Sequence, residues 1–336
     1  MMKKICFFLL GACIAFGSCS TGDAASAAQM FGGSSQALLY LNCRAVSEDE
    51  IEFEFSRPVM VKSLNFEPAV EIASIQNGKI ARIKLEEKTE PGMLFTADLL
   101  AEDEKKNTIN VLVSFRSRNN RMPELVINEL CTENGTSANK KTEFIEFRMK
   151  SDGNLGAMRI VILGNSSASK QTIYEFLPCE VKRNEYLVLH LRTLEETCKN
   201  EYGGNLLESG GANASGARDF WIPGSIKLIQ RTTSAVYVLD QDDRVLDAVM
   251  ICENPEASWS KDYFTQAAEF LFSQGAWKSA DGGICRPADA VISAGTTNTR
   301  TICRDETKAN SRTAADWYIT ATSSATPGGE NSDKRY

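Results

Sequence analysis

The sequence predicts an all-β protein, two β-sandwiches in series with one inserted α-helix. Three observations predict it. Short runs of alternating apolar and polar residues recur along the chain, turn-forming pairs such as Asn77-Gly78 and Pro91-Gly92 separate them, and a basic stretch from Arg116 to Pro123 divides them into two groups. A period of two puts one face of a strand in a core and the other in water. Short strands repeated at that spacing read as sandwiches. At 336 residues the chain is long enough to bury two cores.

The amino-terminal run stands apart from both groups. Lys3 and Lys4 precede an apolar segment from Ile5 to Phe16, and Gly17 and Ser18 follow. A basic start, a short apolar core and small residues make an export signal; a bilayer-spanning helix needs about 20 apolar residues. Phe16-Gly17-Ser18-Cys19 resembles the lipobox of bacterial lipoproteins, and Leu10-Gly11-Ala12-Cys13 offers a second box upstream. The resemblance implies that residues 1–18 are removed and that Cys19 carries the lipid. No other cofactor is expected. Residues 19–36, rich in Ala, Ser and Gly, form a tether with a reach of roughly 20 to 25 Å. The expected location is the bacterial cell envelope, membrane-anchored and facing the periplasm or the exterior.

In residues 37–120, Ile51, Phe53 and Phe55 alternate with Glu50, Glu52 and Glu54, and runs follow at Val59–Phe66, Ile80–Leu85, Leu94–Leu99 and Ile109–Phe115. Phe55-Ser56-Arg57-Pro58-Val59, Pro91-Gly92 before a strand, and Ala101-Glu102-Asp103 leading to Asn107 resemble the bacterial immunoglobulin-like modules of surface proteins. In residues 121–331 the run Leu125 to Leu130, the segment Glu143-Phe144-Ile145-Glu146-Phe147, the run Glu185 to Leu189, the hairpin Val236 to Val249, Asp316-Trp317 and Ala325-Thr326-Pro327-Gly328-Gly329-Glu330-Asn331 follow in order. Together they resemble the lamin-tail domain. That resemblance implies an immunoglobulin-like sandwich and an interaction role, with no catalytic residues to carry over. Two insertions are expected within it: a Gly-, Asn- and Ser-rich loop over 193–224, and an amphipathic helix over 255–275 with Trp259, Tyr263, Ala267, Phe270 and Leu271 at helical spacing. Residues 332–336 read as a disordered tail.

Charge and composition narrow the function. The chain carries a formal charge of −7, and losing Lys3 and Lys4 takes its 37 basic side chains to 35 against 44 acidic, a balance of −9. An acidic exterior disfavours phosphate backbones, so nucleic acid is not an expected partner. Of ten cysteines, seven lie beyond Cys19. Cys285 and Cys303 are the preferred disulfide, since an oxidising compartment permits one and the loop between them is short. His190 is the one histidine, which removes the usual Ser-His-Asp triads and two-histidine metal centres and marks His190 as structural.

Carboxylate pairs are the remaining route to hydrolysis. Glu143 and Glu146 are three apart on a strand and face opposite ways, whereas Glu129 and Glu146 meet if their strands pair. Asp240, Asp242 and Asp243, with Asp247, cluster at a hairpin where hard oxygen ligands suit calcium, although Asp is also a favoured turn residue. Gly211 to Gly216 begins like a phosphate-binding loop, but Ala217 and Arg218 stand where Lys and Ser or Thr are required. Arg218, Phe220 and Trp221 make a basic-aromatic patch suited to a sugar or a protein partner, or an anchor tying the loop to its own sandwich.

The expected function is therefore non-catalytic: a lipid-anchored binding or scaffolding module for an envelope or extracellular protein or glycan. The alternatives are a carboxylate-based envelope hydrolase and a structural spacer. Cys19→Ser is expected to move the protein from the membrane fraction to the soluble fraction and to abolish acyl labelling, measured by cell fractionation and incorporation of a tagged fatty acid.

Overall fold

The computed structural model describes residues 37–135, 141–164, 170–210, 214, 216–255 and 258–336. The export signal, Cys19 and the tether lie outside them. The chain is all-β, with a single α-helix among the described residues.

The first unit has six strands: β1 (Tyr40–Ser47), β2 (Glu50–Glu67), β3 (Ile72–Gln76), β4 (Gly78–Leu85), β5 (Leu94–Asp103) and β6 (Thr108–Arg116). Their order is β3-β4-β2-β5-β6, with β1 also on β2. The runs at Ile51–Phe55 and Val59–Phe66 are halves of one long strand. Its first half pairs with β1 and β4 and its second with β5. The change of partner falls at Pro58, which has no N–H for a ladder. The sheet thereby folds over its own core, where Phe53, Phe66, Phe95 and Phe115 meet at centroid distances of 5.9 to 6.5 Å.

The second unit stacks two sheets. One runs β11 (Gln171–Glu175), β10 (Arg159–Gly164), β15 (Thr233–Leu239), β16 (Val245–Cys252), β17 (Val291–Ile292). The other runs β14 (Arg218–Trp221), β13 (Tyr186–His190), β8 (Phe144–Met149), β7 (Leu125–Cys131), β18 (Ile302–Arg304), β19 (Trp317–Ile319). A two-stranded ribbon, β9 (Gly153–Asn154) with β12 (Glu180–Val181), sits beside them. One continuous apolar core joins the sheets, with Ile127, Phe147, Leu189 and Phe220 from one and Ile160, Val236 and Val249 from the other.

Three features depart from the sequence reading. The helix α1 spans Asp262–Ser273 and starts later than Pro255, because Trp259 is drawn off to donate its Nε1–H to the Cys285 carbonyl at 3.2 Å. Its stripe of Phe264, Ala267, Ala268 and Leu271 is buried, Phe270 packs on Tyr237, and Gly275 ends it at φ +63°. The stretch 193–224 is not simply a surface loop, since it contains β14, which pairs in parallel with β13 from Leu187↔Arg218 to His190↔Trp221. Residues 332–336 are docked rather than disordered: the Tyr336 N–H donates to the Ile319 carbonyl at 2.9 Å and Arg335 pairs with Asp305 at 2.7 Å.

Residues 117–124 connect the units and are stitched to the second. Asn119 is buried; its Nδ2 donates to the Asn154 and Gly156 carbonyls, each at 2.8 Å, and its N–H to Gln241 Oε1 at 2.8 Å. Arg116 pairs with Glu175 at 2.7 Å, Arg118 grips Asp242 through two bonds of 2.6 and 2.7 Å, and Arg121 holds Glu180. Between them the backbones touch: a Cβ on Gly92 would lie 2.2 Å from the Gly156 carbonyl carbon, and one on Gly156 would lie 2.1 Å from the Pro91 oxygen. Gly156→Ala is therefore expected to force the units apart and destabilise the protein by about 1–3 kcal/mol, the usual penalty for overpacking. Thermal unfolding and small-angle scattering would read both effects, with Gly203→Ala, which meets nothing within 4 Å, as the unchanged control.

Candidate functional site

Glu129 on β7 and Glu146 on β8 are register partners, directly opposite each other. An irregularity between Ile127 and Glu129 sets the register, and both side chains are fully buried. Two carboxylates cannot enter a core without donors. Glu129 accepts from Thr301 Oγ1 and from the Thr326 N–H and hydroxyl, the latter two at 3.2 Å. Glu146 accepts from Asn128 Nδ2 at 2.8 Å and from the Gly328 N–H at 2.6 Å. Two of the donors thus flank Pro327, in a segment more than 180 residues further along the chain. Asn331 fixes that segment by donating to the Asn128 and Arg304 carbonyls at 3.1 and 2.9 Å.

Burial raises the Glu129 carboxyl above its ordinary value. Burial, and then the neighbouring Glu129, raise Glu146 well above its own. Burial also pushes up the thiol of Cys303, which is the register partner of Glu129 on β18. Glu143 does not join Glu129 and Glu146, because Arg192 holds it separately.

A second buried network surrounds His190. Its Nε2 lies 2.6 Å from Asp219 Oδ1, its Nδ1 lies 3.1 Å from the Thr142 hydroxyl, and its ring stacks on Trp221 at 3.8 Å. Asp219 also accepts from the Ala214 N–H at 3.0 Å, and its own N–H donates to Glu201 at 2.8 Å. Hydroxyl, imidazole and carboxylate stand in the order of a hydrolase relay, yet Thr142, His190 and Asp219 are all buried. The sequence showed the strand leading to His190 in the run Glu185 to Leu189, but not that β14, carrying Asp219, pairs with it in parallel.

Several expected sites take other roles. Arg218, Phe220 and Trp221 are buried, not a binding patch: Arg218 holds Glu185 at 2.7 Å and the Glu201 and Gly203 carbonyls, Phe220 lies in the core, and Trp221 donates to Ser209 at 2.8 Å. They anchor the long segment before β14. Asp240, Asp242 and Asp243 do not gather around a cation. Asp240 accepts from backbone N–H groups of its own turn, Asp242 is taken by Arg118, and Asp243 by Arg159 at 2.7 Å. Asp247 is buried against Arg304 at 2.6 Å. Cys285 and Cys303 remain free thiols rather than a disulfide: Cys285 sits against Trp277 at 3.2 Å, while Cys303 lies on β18 opposite Glu129. Burial pushes the Cys285, Cys131 and Cys43 thiols up to about 12, which keeps them unreactive. Of Gly211 to Gly216 only Ala214 and Gly216 lie within the described residues.

An acid whose folded value is raised contributes stability that is complete below its unfolded value and is lost as pH climbs through the folded one. Stability should therefore fall as pH rises above about 5, the ordinary carboxyl range being about 4.3. Glu146→Gln is expected to flatten that fall, and denaturant unfolding at several pH values between 5 and 9 would measure it.

Residues 123–319 match the family model of the TP_1001 second domain, described as "protein second domain". A relative from Treponema pallidum (strain Nichols), named only as an uncharacterized protein, is 24% identical over 232 residues, which cover 65% of this chain and 56% of the relative. The chain thus spans little more than half of that relative's length. Among solved structures, the N-terminal part of the bacterial S-layer protein SbsC is 12% identical over 44% of this chain and 40% of its own, with a TM-score of 0.25. L,D-transpeptidase 3 from Mycobacterium tuberculosis is 10% identical over 46% and 81%, with a TM-score of 0.18. Both scores are too low to establish a common fold.

Proposed function

The chain belongs to the TP_1001 second-domain family, and on that premise we propose that it is an exported, lipid-anchored envelope protein that binds or scaffolds a protein or glycan. The single observation that carries this reading is that its chemically capable groups are sealed. Glu129, Glu146, His190 and Asp219 are all buried, and each has hydrogen-bond partners within the fold. A general acid or base must come within hydrogen-bond reach of a substrate. Groups so enclosed serve the fold. In this reading the second unit is a lamin-tail-like sandwich, Cys19 fastens the chain to a membrane, and the envelope is where it works.

What remains open to a partner is surface. β11 is an edge strand with Ile173 half exposed, next to the exposed Leu177. Exposed apolar side chains of this kind offer contact to another chain. The pairing of Glu129 with Glu146 keeps hydrolysis as the second reading, since two carboxylates are the minimum for glycoside cleavage.

Cross-linking intact cells and recovering the protein from the membrane fraction is expected to yield a defined envelope partner. Glu129→Gln combined with Glu146→Gln is expected to leave that recovery unchanged while the protein stays folded. A hydrolytic activity lost in the double variant, with folding intact, would favour the enzyme.

A further inference from the structure

The junction between the two units encloses a cleft of about 700 Å³. Its walls come from β1 and the end of β6 on one side and from the turn between β15 and β16 on the other. Arg44, Arg116, Arg118 and Arg244 line it, with Asp242 as the acidic residue among them. In a chain of net charge −7 this is a concentration of the minority sign.

The four arginines are not equally engaged. Arg116 is held by Glu175 and the Gly92 carbonyl, and Arg118 is held by Asp242, so these two fix the junction. Arg44 bonds Glu52 through Nε and one terminal nitrogen, which leaves its other terminal nitrogen open, and its side chain is 65% exposed. Arg244 is exposed, and among the described residues its guanidinium has no ion pair. Of the nearby acids, Asp240 caps backbone N–H groups, Asp243 is engaged by Arg159, and Asp242, gripped by Arg118, also feels the Arg244 charge. One free guanidinium nitrogen of Arg44 from the first unit and the Arg244 guanidinium from the second therefore face a shared polar space.

We propose that this cleft binds an anionic sugar, with its phosphate or carboxylate between Arg44 and Arg244. Guanidinium forks match the planar carboxylate and the tetrahedral phosphate in a way that water-exposed lysines do not. The volume falls within the range of small-ligand sites. The lining selects a hydrophilic ligand, since charged and polar side chains make up most of it. This deepens the binding role proposed above and rests on it. A ligand spanning both walls would also bridge the two units.

The test is titration of the purified full chain at low salt with glucose 1-phosphate, with trigalacturonate and with neutral maltotriose, followed by calorimetry. At least one anion is expected to bind and maltotriose is not. Arg244→Glu is expected to weaken that binding at least tenfold with unchanged thermal unfolding, and Arg44→Gln to weaken it as well, its folding checked by the same unfolding measurement because Arg44 also holds the buried Glu52. Binding of only the phosphate or only the uronate supports the site and names the anion. Absence of binding by both anions, equal binding of maltotriose, or unchanged affinity in the two variants would overturn the proposal. A partner still recovered by cross-linking in that case would leave the broader binding role standing.

Discussion

The second unit is organised by the need to give buried carboxylates hydrogen-bond donors. Glu129, Glu146, Asp219, Glu201 and Asp247 are all inside it. A buried carboxylate without partners costs several kcal/mol or takes up a proton, so each must find N–H and O–H groups or become neutral. The strands supply part of them: the Asp219 N–H donates to Glu201, the Ile127 N–H and Arg304 donate to Asp247, and Asn128 donates to Glu146. The remaining donors come from irregular segments: Thr326 to Gly328 over Glu129 and Glu146, Ala214 and Ser209 around Asp219 and Glu201. What looks like insertion and tail in the sequence is the part that closes the core.

The same logic, in reverse, shapes the junction. There the charges lie near the surface, and the arginines of the connecting segment reach into the second unit at Glu175, Asp242 and Glu180. Such pairs add little stability when exposed. Their geometry, combined with the backbone contact of Gly92 on Gly156, holds one unit at a set position against the other. Buried acids thus close the second sandwich, and partly exposed basic groups align it with the first and line the cleft between them.

Much of the fold was legible because it follows from local pattern. The alternation of Ile51, Phe53 and Phe55 gave half of β2, the run at Val236 to Val249 gave the β15–β16 hairpin, and Gly275 gave the end of α1. The meeting of Glu129 and Glu146 was legible as a condition, since strand pairing alone decides it. Less was legible at the sites. Arg218, Phe220 and Trp221 have the composition of a binding patch, yet parallel pairing with β13 buries them. Cys285 and Cys303 are close along the chain, yet Cys285 lies in an irregular segment against Trp277 and Cys303 lies on β18 opposite Glu129. Composition reports what a side chain can do, and burial decides whether it can do it.

The amino-acid sequence by itself determined the strand content, the helix stripe, the acidic balance and the placing of its turns, because these depend on periodicity and on residues near one another. Only the tertiary structure decided which acids face each other, that Thr326 and Gly328 seal them, that His190 meets Asp219, and that Arg44 and Arg244 share one cleft. Those residues lie 17 to 200 positions apart. Periodicity carries no information over such separations; the packing of sheets and the close approach of two glycines do.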